Sequence, residues 1–184
     1  MNRPLIFPVV RSCLFSNTSP HGFRLEGVRW HNVQHYLLAQ RFAGTPVADA
    51  IRSAATFEEA RQLFHSSDPP RLGNWRQTER DLMEKAALAK FQSHPRLRAA
   101  LLATGNRPLI QEPPFFRSGS ALISDNRLGC ALMQVRGTLR RSAAQKAAWA
   151  ARRAADKQAK AEGKQGASNQ EANIQDIDRH ETVA

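Results

Sequence analysis

His31 and His35 are the first pair whose types and spacing suggest chemistry: four residues apart, they could clamp a metal ion from one side of a helix. They lack an intervening glutamate and any evident third ligand. A hydrogen-bonded pair at a helix start is the plainer reading, and neither a metal nor a cofactor is expected. Ser16 and Asn17 suit either a ribose or phosphate contact or a turn and helix cap. Lys90 lies inside an apolar periodic segment, where it either meets an anion or snorkels to solvent. Asn126 and Gly129 fit a helix start and a close packing contact. Cys13 and Cys130 read as small buried hydrophobes. Two cysteines supply neither a disulfide framework nor a four-thiolate site, so a reducing compartment is expected. No Gly-rich phosphate loop, Ser-His-Asp ordering or CxxC pair occurs.

The elements that must position these groups follow from periodicity and composition. The chain has 184 residues, enough for one domain with a sizeable core and an appendage. Hydrophobic residues make up 41% and charged residues 23%, which excludes disorder throughout. No run approaches the ~18 apolar residues of a membrane span. Lys and Arg total 27 against 16 Asp and Glu, a formal +11, which favours an anionic partner. Segments 5–10 and 23–30 read as short strands, the first weakened by Pro8. Helical periodicity covers 33–43, 57–64 and 76–92, with short helices at 95–103 and 126–137. A helix-dominated α+β domain with a small N-terminal sheet is expected over residues 1–137.

Beyond Gly137 there is no Phe, Tyr or Pro. Residues 140–164 carry eight Lys and Arg against Asp156 and Glu162, net +6, in an alanine-rich background that favours helix. A basic helix is expected over 138–163, ending at Gly163. A polar, disordered tail would follow over 164–184, with residues 165–184 of net −3. This helix could track a phosphate backbone or meet an acidic protein surface, with Trp149 available to stack. Its apolar face is too poor to lie on a membrane. Before Glu26 the chain has Arg3, Arg11 and Arg24 and no acid, a composition similar to an organelle transit segment. The strand-like pattern there favours a domain segment, so a cytoplasmic location is expected, with an organelle matrix as the alternative.

Four segments in order resemble the NADAR (YbiA-like) family. Gly27-Val28-Arg29-Trp30 followed by Val33-Gln34-His35-Tyr36 is similar to its helix opening, where a glycine and an aromatic precede Val-Glu-His-Tyr. Leu14-Phe15-Ser16-Asn17 is similar to its Leu-Ser-Asn-Phe. Trp75, Met83, Lys90-Phe91-Gln92 and Leu101 to Gly105 keep its order and spacing. Asn126-Arg127-Leu128-Gly129-Cys130-Ala131-Leu132-Met133 is similar to its closing Asn-x-Leu-Gly-x-x-Leu-Met helix. The resemblance spans about residues 5–140. It implies hydrolysis of the N-glycosidic bond of a ribosylated base, either a phosphorylated riboflavin-pathway intermediate or ADP-ribosylated guanine. That chemistry passes through an oxocarbenium-like transition state, which a carboxylate must stabilise.

The resemblance also locates where this chain departs. The glutamate of Val-Glu-His-Tyr is Gln34, that of Leu-Ile-Glu is Gln111, and the aspartate of Asp-x-x-Trp-Gly is Phe116. The lysine after the first helix motif is Arg41. Glutamine keeps the shape and hydrogen bonding of glutamate without its charge, and losing one acid/base group typically forfeits ~10²–10⁴ in rate. Arg41 and Arg117 would favour phosphate over an oxocarbenium ion. The expectation is a degenerate enzyme whose Ser16, Asn17, His35, Tyr36, Arg41, Trp75, Lys90 and Asn126 line a ribosyl-nucleotide pocket, with Trp75 as a base-stacking wall. The alternative is an active hydrolase using Glu112 or Asp125 in place of the missing acids.

Overall fold

The computed structural model describes residues 3–8, 12–70, 73–112 and 126–181, with side chains described on the last helix as far as 154 and at 157 and 158. Val9 and Val10 of the first strand candidate therefore lie outside the described residues, as do Pro113, Pro114, Phe116, Arg117 and Asp125. Element order is β1 (Leu5–Phe7), β2 (Phe23–Leu25), β3 (Val28–Trp30), α1 (Val33–Gln40), α2 (Pro46–Ser53), α3 (Phe57–Ser66), α4 (Trp75–Ser93), α5 (Pro95–Ala103), β4 (Leu109–Gln111) and α6 (Arg127–Glu181).

The segment read as one strand over 23–30 is a hairpin. Leu25 pairs with Val28 across Glu26 and Gly27, whose φ angles are 54° and 79°. Two consecutive positive φ values make the tight turn whose twist matches an antiparallel pair, and glycine adopts them without steric penalty. β1 takes no part in this hairpin. It pairs in parallel with β4, Leu5 opposite Leu109 and Phe7 opposite Gln111, so the small sheet is two separate pairs. A three-residue run at 109–111 carries too little alternation to be recognised until its remote partner is present.

Local sequence accounts for the helix starts. Asn32 caps α1, its Oδ1 accepting the His35 N–H at 2.9 Å. Thr45 precedes Pro46 at the first position of α2, a short helix outside the segments expected from periodicity. Thr56 accepts the Glu59 N–H at 3.2 Å while the Glu59 carboxylate accepts Ala55 N–H at 2.9 Å, a reciprocal clamp on α3. The core gathers Ile51, Phe91, Leu101, Leu109 and Leu132, all fully enclosed, between α1, α4, α5 and the start of α6.

α6 closes this unit against β4. A Cβ on Gly129 would stand 2.2 Å from the Leu109 carbonyl oxygen, so only glycine permits the approach. Farther along, Arg136 Nη1 donates to Thr104 Oγ1 at 2.7 Å and to Arg107 O at 2.9 Å, and Arg140 Nη2 donates to Gly105 O at 2.7 Å. These guanidinium groups satisfy carbonyls left open where α5 ends.

The chain forms two compact units, residues 1–140 and 141–184. In the second, helical backbone continues through Gly163, where the sequence pattern placed a stop, to Glu181. One glycine costs a helix only ~1 kcal/mol relative to alanine, and the flanking Ala, Lys, Gln and Glu residues offset it. Trp149 is exposed, and the Arg153 guanidinium, one turn later, lies 4.7 Å over its ring. Among the described residues no helix is long and apolar enough to cross a membrane.

Candidate active site

Gln34 lies in the first turn of α1 and is half-buried, its backbone N–H held by Asn17 O at 3.0 Å. Arg41 follows seven residues later, two turns along, and therefore shares its face. The Arg41 guanidinium lies 4.6 Å above the indole of Trp75, the first residue of α4. Arg41 Nη1 is enclosed and has no hydrogen-bond partner. A buried N–H donor without an acceptor costs ~1–3 kcal/mol, which an oxygen of a bound ligand would recover. Trp75 itself remains partly exposed, so this wall is open to a ligand.

Ser16, Asn17 and Lys90 form a second set with a different role. Lys90 is 1% exposed, and its ammonium donates to Leu14 O at 2.9 Å, Ser16 O at 2.9 Å and Ser19 Oγ at 2.5 Å. It neither reaches solvent nor stands free for an anion, contrary to both sequence readings: the apolar helix carries it inward onto the 14–19 loop. Burial pulls its pKa down to about 8, with the neighbouring Cys13 acting weakly in the opposite direction. Ser16 is fully enclosed, and its hydroxyl pairs with that of Thr18 at 2.9 Å. The loop thus joins α4 through Lys90 to α1 through Asn17, setting the depth at which Gln34 sits.

Asn126 is likewise committed to structure. It has φ +45°, its Oδ1 accepts Gln111 N–H at 2.8 Å, and its Nδ2 donates to Leu109 O at 2.9 Å. With both ends of its carboxamide spent on β4, it is a strand clamp that launches α6 rather than a ligand contact. Tyr36 is buried edge-on against Trp30, ring centroids 5.0 Å apart. His35 is buried with Nδ1 3.0 Å from Asn32 Oδ1, and its ring centroid lies 5.4 Å from that of His31. Burial and the neighbouring His31 both lower its pKa, outweighing the nearby carbonyls and Glu59. Among the described residues no three metal-ligating side chains converge.

Pairing with β1 fixes the two candidate acid positions. Leu109 is buried and Ile110 is 37% exposed, while Gln111, the last residue of β4, and Glu112 after it are both half-buried. The register is pinned on both sides, by Phe7 opposite Gln111 and by Glu112 N–H donating to Phe7 O at 2.9 Å. The one-residue slip that would bring Glu112 into the place of Gln111 is absent from this pairing.

A feature that the sequence reading passed over adjoins Trp75: an open cleft of about 500 Å³ lined by Asn74, Arg76, Gln77, Arg80, Arg127 and Cys130. Arg76 and Arg80, one turn apart immediately after Trp75, were its available signal. Cys130 is exposed on this cleft rather than buried, because residue 130 faces away from the side of α6 that carries Leu128, Ala131 and Leu132.

A helix-dominated α+β unit closed by an Asn-x-Leu-Gly helix, with a cation at the end of the first helix over a tryptophan, defines the class. The NADAR domain model matches residues 7–140, and the chain belongs to that family. It is 36% identical over 132 residues to an N-glycosidase of Nostoc punctiforme, covering 68% of this chain and 85% of that protein. It is 31% identical over 128 residues to the N-glycosidase YbiA of Escherichia coli, covering 68% and 80% respectively. A riboflavin biosynthesis protein PYRR (chloroplastic) of Zea mays is 31% identical over 143 residues, of which this chain spans 23% of the length. The solved NMR structure of Escherichia coli YbiA superposes with a TM-score of 0.66 at 28% identity, covering 77% of this chain and 89% of that one.

Proposed function

We propose that this protein binds a ribosyl nucleotide along the Gln34–Arg41 face of α1 and hydrolyses its N-glycosidic bond weakly or not at all. The observation that carries the proposal is the Arg41 guanidinium, 4.6 Å over the Trp75 ring with Nη1 enclosed and unpartnered, two turns after Gln34. That arrangement supplies a planar cation for a phosphate or ribose oxygen and an indole beside it for a base. Gln34 hydrogen-bonds a ribose hydroxyl but neither accepts a proton nor offsets the positive charge of an oxocarbenium ion. The last position of β4 is again an amide, Gln111. The relatives' N-glycosidase names support the substrate class, and the missing carboxylates support the loss of turnover. The arginine-rich helix beyond residue 140 would add a polyanion contact, to nucleic acid or to an acidic protein surface.

The test is direct turnover on ADP-ribosylated guanine oligonucleotide and on a phosphorylated ribosylamino-pyrimidine, read as free base, with ADP-ribose binding measured in parallel. Binding without release is expected, together with partial recovery of release in Gln34→Glu with Phe116→Asp. Base release by the unaltered chain that Glu112→Gln or Asp125→Asn abolishes would establish a working hydrolase instead.

A further inference from the structure

The second compact unit, residues 141–184, is one run of helical backbone as far as Glu181. Between residues 141 and 158 its sequence holds Arg141, Lys146, Arg152, Arg153 and Lys157 against one acid, Asp156. Lys146, Trp149, Arg153 and Lys157 recur at intervals of three or four residues, and all four are exposed. The helical period brings them within an arc of about 80° on one face, over an axial length of about 16 Å. Trp149 is the only large apolar residue between Leu139 and Ile174. It is 61% exposed although the Arg153 guanidinium lies 4.7 Å over its ring. A guanidinium covers one face of an indole and steadies its orientation, so the other face is left to solvent.

The chemistry of this face selects among anionic partners. A helix that docks in a protein groove needs apolar anchors repeated one and two turns apart, and here the neighbours of Trp149 on its face are Lys146, Arg153 and Lys157. A membrane surface requires the same apolar breadth. A nucleic-acid duplex offers phosphates, but its bases are stacked on one another and present no flat face to an indole. An unpaired strand offers both groups at once: phosphates for the cations and a base for the open side of Trp149. We propose that Lys146, Trp149, Arg153 and Lys157 form a binding stripe for single-stranded nucleic acid, one base stacking on Trp149 and the backbone phosphates meeting the three cations. Every base has such a face and every nucleotide a phosphate, so the stripe reads no sequence. The inference rests on the polyanion contact given above for this helix and is separate from the Gln34 face.

The experiment follows the fluorescence anisotropy of a short dye-labelled oligothymidylate as the full chain is added, over a series of salt concentrations. A duplex of the same length and polyglutamate are compared under the same conditions. The single strand is expected to bind more tightly than either. Trp149→Ala should weaken it by about tenfold, as loss of one base stack implies, and leave the salt dependence unchanged because no charge is removed. Lys146→Gln combined with Lys157→Gln should flatten the slope of log K against log salt by about 1.4, at about 0.7 per phosphate contact. Trp149→Phe should restore most of the affinity lost in Trp149→Ala, since a smaller ring still stacks. A duplex bound as tightly as the single strand, or an affinity indifferent to Trp149→Ala, would overturn the proposal. Tighter binding of polyglutamate would assign the helix to an acidic protein surface and overturn it equally. Binding of no polyanion at all would overturn it together with the polyanion contact, while ADP-ribose binding by the same sample tests the Gln34 face on its own.

Discussion

Lys90→Met removes the ammonium that ties α4 to the 14–19 loop while nearly preserving the volume of the side chain. Two opposing effects set its size. The ammonium donates to Leu14 O, Ser16 O and Ser19 Oγ, and the variant leaves three acceptors in a dry environment, at ~1–3 kcal/mol each. Against this, a pKa near 8 in place of 10.5 means that burying the charged form costs roughly 3 kcal/mol, at 1.36 kcal/mol per pH unit, and methionine escapes that cost. At pH 7 the difference between the two is about 0–6 kcal/mol of net destabilisation, centred near 3 kcal/mol. The pH dependence is the sharper check. The folded pKa lies below the unfolded one, so between pH 8 and 10.5 the unfolded chain binds the extra proton and the wild type gains stability as pH rises. Urea unfolding of both proteins from pH 7 to 10.5 should show their stability gap widening by roughly 3 kcal/mol, because titrations common to both cancel in the difference. A gap that stays flat over that range would refute a depressed Lys90 pKa. A variant more stable than wild type at pH 7 would refute the clamp itself.

Three further outcomes follow from the geometry. Asn126→Ala forfeits both hydrogen bonds to β4 and places alanine at φ +45°, so a loss of about 2–4 kcal/mol in urea unfolding is expected, of which Asn126→Gly should recover only the backbone part. Gly129→Ala must push α6 away from the Leu109 carbonyl, and a fall in Tm of at least about 10 °C is expected by calorimetry, whereas Gly73→Ala, with open space around it, should fall by less than about 2 °C. Arg41→Ala strips the cation from the Trp75 ring; Trp fluorescence should change, and ADP-ribose affinity should drop by about tenfold or more with little effect on the unfolding midpoint.

Much of the fold was legible because it rests on local patterns. The bounds of α5, the caps at Asn32 and Thr56, and the helical stripe from Met83 to Phe91 each follow from residues within a turn or two of one another. The ordered motifs from Ser16 to Met133 were enough to name the family, since a motif's order along the chain needs no third dimension. The substitutions Gln34 and Gln111 were also visible there, and with them the missing carboxylates.

What each polar side chain does was decided by tertiary structure. Lys90 and Asn126 looked like ligand contacts, yet their partners lie about 74 and 17 residues away, on a loop and a strand that the sequence does not place beside them. Glu112 and Gln111 are adjacent letters, and only the pairing of β4 with β1, more than a hundred residues earlier, decides which of them stands opposite Phe7. The same holds for Arg41 on Trp75. Composition and periodicity fix which residues form elements because those choices are governed by neighbours in sequence. Whether a buried donor finds an acceptor depends on neighbours in space, and that is settled only when the elements pack.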